Sequence, residues 1–100
     1  MENCPHCFKN KKDPRDQEMI EGLTKRLNRI TGQINGINKM ISENRYCNDI
    51  LIQLAAAEKA LREVGYIILQ DHLHTCVSDD IKNGDYSSLD EAIETFKKLS

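Results

Sequence analysis

One hundred residues make one domain's worth of chain, and 39% apolar content with no Trp and two Phe is thin material for a self-sufficient core. A chain of this size buries only about two thirds of its unfolded surface by itself, so association between copies is expected. No apolar run reaches the roughly 20 residues of a membrane helix and no signal-like core follows Met1, while a net charge of -2 excludes a uniformly basic nucleic-acid binder. The expected compartment is the cytoplasm, with no membrane partner. The charge is uneven: residues 1–47 carry nine Lys/Arg against six Asp/Glu, and residues 48–100 carry five against ten. Nucleic acid responds to the local field, so a basic face on the first half stays open.

Residues 1–15 hold both prolines and no apolar period, and read as a flexible N-terminal arm preceding a helical domain over 16–100. The arm contains Cys4-Pro5-His6-Cys7, a CxxC with an interposed His. Such a pair can chelate metal or cycle as a dithiol, and the expectation is an accessory metal site or relay at Cys4, His6 and Cys7. Asp13-Pro14 supplies a cap and a first-turn proline for the helix that follows. Leu23, Leu27, Ile30, Ile34, Ile37 and Ile41 are spaced 4, 3, 4, 3 and 4 apart, which predicts a helix over 16–43 with a heptad-like packing seam. Gly32 and Gly36 lie one turn apart, where another backbone could approach closely.

Ser42-Glu43-Asn44 interrupts the pattern. A second stripe, Cys47, Ile50, Leu54, Ala57, Leu61, Val64, Ile68, His72 and Cys76, predicts a long helix over 46–80 that Asn83-Gly84 stops. Ser88-Leu89-Asp90-Glu91 matches a capping box, opening a short third helix to about Leu99 with Ile93 and Phe96 on its buried side. No alternating strand pattern occurs. The expected fold is all-α, with two long helices and one short.

Metal-type residues sit on the same stripe as the core leucines. His72 and Cys76, four apart on a helix, can reach one ion. Two thiolates with an imidazole suit Cu(I) or Zn(II), and the soft sulfur favours Cu(I). Taken singly, each residue reads equally well as a solvated His or a small buried hydrophobe. Cys47 and His72 are 25 residues apart, about 37 Å along a straight helix, so they cannot share an ion within one chain. Two copies of this helix paired antiparallel bring Cys47 of one against His72 and Cys76 of the other, with a two-fold axis near Ala60-Leu61. Three protein ligands suit trigonal Cu(I), whereas structural zinc normally takes four; a water or an arm residue could complete a zinc site.

The run RLNRITGQINGINKMISENRYCNDILIQLAAAEKAL, followed by DHLHTCV, resembles the CsoR/RcnR family of metal-sensing repressors over about residues 20–99. In that family a Cys at the start of the second helix, with His and Cys one turn apart near its end, is the copper-sensing pattern, and Cys47, His72 and Cys76 match it. The resemblance implies a homodimer assembling to a dimer of dimers, and Cu(I) bound across a subunit interface to release operator DNA. A copper chaperone would be the metal donor. Relatives that sense nickel or cobalt carry His for the last Cys, and persulfide sensors lack the His. Tyr46 and Glu91 match residues that hydrogen-bond the bound His and couple occupancy to helix position. Boundary packing for Tyr46 and a capping role for Glu91 are the competing readings.

Lys25, Arg26 and Arg29 cluster on the first helix, with Lys39 and Arg45 beyond. Such charges also simply solvate a helix. The resemblance makes Lys25, Arg26 and Arg29 the expected DNA contacts, resting on phosphates and DNA shape. The chain departs from the family at Asn35, where relatives carry Arg, and at Glu63, a position that is basic in some members. Two further readings stand beside the copper repressor. One is a repressor of the same fold that senses thiol oxidation or persulfide through Cys47 and Cys76. The other is a copper buffer or chaperone that never binds DNA. No acid–base pair or phosphate loop supports an enzyme.

Overall fold

The computed structural model describes residues 14–100. Within them the elements are α1 (Gln17–Ser42), α2 (Cys47–His72), a single π-helical turn (Leu73–Val77), α3 (Ser78–Lys82) and α4 (Ser87–Leu99). No strand occurs among the described residues. Backbone from Cys47 through Lys82 is continuously helical, so the expected second helix is present with a π turn inside it. The expected accessory site Cys4, His6 and Cys7, the Asp13 cap and most of the arm lie outside the described residues.

The chain divides into two compact units. The first, Gln17–Val64, holds α1 and the first five turns of α2. Ile30 and Ile37 of α1 and Ala57 and Val64 of α2 are its buried apolar residues. Each pair is seven apart, two helical turns, and so lies on one line along its helix. The other line of each stripe stays uncovered: Leu27, Ile34 and Ile41 on α1, and Cys47, Leu54 and Leu61 on α2, are exposed. A seam with 4-3 spacing has two such lines, and within this unit only one of them on each helix is buried. Gly32 and Gly36 face open space: beyond their own stretch of helix, no atom of the described residues lies within 4 Å of where a Cβ would stand.

Asn44 closes α1 with a positive φ of 54°. The Arg45 amide donates to Met40 O at 2.9 Å and the Asn44 amide to Ile41 O at 3.1 Å, the paired bonds of a Schellman motif. The same geometry ends α3. Gly84 has φ of 80°, its amide donates to Ile81 O at 2.9 Å, and the Asp85 amide donates to Asp80 O at 2.8 Å. The expected stop at Asn83-Gly84 is therefore present, because glycine adopts the left-handed conformation without steric cost.

The second unit, built on Gly65–Ser100, corrects two expectations. First, α4 begins at Ser87, and the Asp85 carboxylate accepts from the Ser87 amide at 2.9 Å and the Ser87 hydroxyl at 2.7 Å. This local Asp bond opens the helix in place of the Ser88–Glu91 capping box; Ser88 is wholly buried. Second, Ile93 and Phe96 are 49% and 42% exposed rather than buried, and Ser88 and Ala92 face inward. Small residues occupy that face because α4 lies close to its neighbours. A Cβ at Gly65 would stand 2.9 Å from a methyl of Leu99. Phe96 is not isolated, since its ring lies 6.0 Å from that of Tyr66, tilted by 33°.

Candidate metal site and DNA-facing surface

Cys47 is the first residue of α2 and His72 the last, while Cys76 is the fourth residue of the π turn. Cys47 is an exposed free thiol. His72 is half-buried and Cys76 is 1% exposed. Cys76 is disulfide-bonded in this structure, so its metal-binding form is the reduced one. Among the described residues no three His, Cys, Asp or Glu side chains converge into a metal-sized group. The structure thus brings His72 and Cys76 onto adjacent turns and leaves Cys47 at the far end of α2.

The π turn that follows His72 and contains Cys76 is a feature the sequence pattern did not disclose. The Ser78 amide donates to Leu73 O, five residues back, instead of the carbonyl four back. Thr75 accompanies the widening: its hydroxyl donates to Asp71 O at 2.8 Å and lies 3.8 Å from Cys76 Sγ. A β-branched hydroxyl bonded to the carbonyl four residues earlier is a known cause of helix distortion.

Tyr46 directly precedes α2, exposed, and its carbonyl accepts from the Asp49 and Ile50 amides at 3.1 and 3.3 Å. Its backbone opens the helix and its ring is available. Glu91 is half-buried on α4. With Asp85 opening that helix, the capping role that competed for Glu91 is removed.

Lys25, Arg26 and Arg29 are all exposed on α1. Arg26 Nη1 stands 3.9 Å from Glu63 Oε2, with both side chains about half exposed. An exposed ion pair of this length contributes about 0–1 kcal/mol, yet it partly neutralises the central arginine of the cluster. Arg62, adjacent to Glu63, is itself paired with Glu58 at 2.9 Å. No helix of the described residues is long and apolar enough to cross a membrane.

Residues 19–98 match the family model for metal-sensitive transcriptional repressors. The chain belongs to this family. Its members are repressors of transcription, not enzymes. The chain is 41% identical to the copper-sensing transcriptional repressor CsoR of Bacillus subtilis over 96 residues, covering 95% of this chain and 92% of that one. Among solved structures it resembles the copper-sensing repressor CsoR with Cu(I) from Geobacillus thermodenitrificans, at TM-score 0.79 and 43% identity, over 87% of this chain and 92% of that one. It also resembles the nickel-responsive regulator InrS, at TM-score 0.71 and 36% identity, over 88% and 100% of the respective chains. One fold thus serves regulators named for different metals. The fold alone does not choose the metal; the donor atoms do.

Proposed function

We propose that this repressor responds to Cu(I), holding operator DNA in its metal-free form and leaving it when Cu(I) occupies a site between subunits. Cys47 of one subunit, with His72 and Cys76 of the partner subunit, would hold the ion. Two thiolates and one imidazole are a soft, three-coordinate set that suits Cu(I) better than four-coordinate zinc. The relatives named for copper support the same metal. When bound, Cu(I) supplies a link between subunits that the apo protein lacks. The cytoplasm, where thiols stay reduced, is the compartment this chemistry needs.

The observation that carries the reading is the placement of Cys47. It lies on the same uncovered line of α2 as Leu54 and Leu61, which are 47% and 46% exposed. Exposed leucines at this spacing call for a partner helix. An antiparallel copy that covers them also covers Cys47 and carries its own His72 and Cys76 to it. A two-fold pairing makes two equivalent sites. A dimer of dimers would leave Leu27, Ile34 and Ile41 of α1 for a second interface, and would align Lys25, Arg26 and Arg29 along DNA. Tyr46 and Glu91 would bond the free ring nitrogen of the liganded His72, tying metal occupancy to the positions of α2 and α4.

The decisive experiment is an anaerobic titration of reduced apo protein on a fluorescent fragment of its own upstream DNA with Cu(I), Zn(II) and Ni(II). Release by stoichiometric Cu(I) alone, lost in Cys47→Ala and His72→Ala, is expected. Failure of the apo protein to bind DNA would favour a copper buffer. Release only by an oxidant or persulfide, surviving in His72→Ala, would favour sensing by thiol chemistry through Cys47 and Cys76.

A further inference from the structure

Thr75 belongs to none of the roles described so far, yet it sits inside the π turn that follows His72 and contains Cys76. Its hydroxyl has one proton and two acceptors in reach. The Asp71 carbonyl, at 2.8 Å, anchors the turn, and Cys76 Sγ, at 3.8 Å and disulfide-bonded in this structure, is the atom that would ligate the ion once reduced. Single π turns are rare, occur inside α-helices and are frequent at functional sites, because one extra residue re-aims the side chains that follow. Here the re-aimed side chains are Cys76 and Val77, both among the most deeply buried in the chain. Thr75 itself is half-buried, so its hydroxyl is not freely exchanged for water.

We infer that Thr75 is a positioning residue of the metal site. The inference rests on the Cys47, His72 and Cys76 reading above. Its back-bond to Asp71 O holds the helix in the widened turn, and the turn sets the direction in which Cys76 leaves the helix relative to His72. The same hydroxyl is the polar group beside Sγ, 3.8 Å from it. Groups that orient a metal ligand in this way typically change affinity by about 10–100-fold when removed.

The test uses the full chain, reduced and anaerobic, in three forms: wild type, Thr75→Val and Thr75→Ser. Valine keeps the branched shape without the hydroxyl, and serine keeps the hydroxyl without the branch. Cu(I) affinity is measured by competition with a chromophoric chelator, and hydrogen exchange is followed at the amides of residues 75–78. Thr75→Val is expected to weaken Cu(I) binding by about 10–100-fold and to change protection of the Ser78 amide, with a thermal midpoint near that of the wild type. Thr75→Ser is expected to restore both. Wild-type affinity in Thr75→Val overturns the proposal, as does a serine variant no better than the valine one, which would make the defect one of shape. If Cys47→Ala, His72→Ala and Cys76→Ala all bind Cu(I) like the wild type, the underlying site reading fails first. The proposal then falls with it.

Discussion

Glu63 stands 3.9 Å from Arg26 on the face expected to meet DNA, and a carboxylate there competes with phosphate for the guanidinium. Replacing it with glutamine keeps the size and removes the competing charge. Glu63→Gln is expected to tighten apo DNA binding by about two- to fivefold, consistent with a surface pair of up to about 1 kcal/mol. It should also steepen the salt dependence, since one more phosphate contact releases about one more counterion. Fluorescence anisotropy at several salt concentrations measures both. An unchanged affinity and slope would place Arg26 away from the DNA. At the same scale, Thr75 shows how a residue without a recognised motif role can matter: a hydroxyl bonded to the carbonyl four back is invisible to apolar periodicity. The proposed ligands Cys47, His72 and Cys76 stand out in the sequence as two thiols and an imidazole on a stripe of leucines.

The helix boundaries are set by short-range backbone chemistry. Two left-handed residues, Asn44 and Gly84, end the long helical segments with the same pair of hydrogen bonds. A Cβ in that conformation costs about 1–2 kcal/mol. Gly84→Ala is therefore expected to lower stability by about that amount, which is a fall of about 4–8 °C per kcal/mol in thermal midpoint for a chain of this size. Asn44→Gly is expected to be neutral or stabilising. A melt monitored by circular dichroism distinguishes the two, and a neutral Gly84→Ala would mean that the turn relaxes without cost. The start of α4 was harder to read. Ser88-x-x-Glu91 and Asp85-x-Ser87 are both acceptable starts, and only packing separates them: Ser88 is 0% exposed and unable to serve an exposed helix end.

At the scale of the molecule, the apolar residues left uncovered among the described residues mark where the proposed partner subunit would sit. The line Cys47, Leu54 and Leu61 joins the proposed ligand Cys47 to two exposed leucines. Subunit pairing and metal binding should therefore fail together. Leu61→Glu, close to the expected two-fold axis, would set two like charges against each other, at a cost of several kcal/mol. Sedimentation velocity is expected to show subunit association weakened by roughly hundredfold or more, about 2.7 kcal/mol. Cu(I) affinity should fall in the same variant although Cys47, His72 and Cys76 are intact. A monomer that still binds Cu(I) tightly would mean that the site forms within one chain.

By itself the sequence determined the all-helical class, the two long helices, and their stops at Asn44 and Gly84. Each of these depends on residue type and on spacing along one helix, which are local properties. Only the tertiary structure decided which line of each stripe is inward, that Ile93 and Phe96 stay exposed while Ser88 and Ala92 are buried, and that Asp85 opens α4. It also revealed the π turn from Leu73 to Val77, which contains Cys76. These depend on which surfaces meet. A 4-3 repeat offers two equivalent lines, and the choice between them is made by the neighbour each line finds.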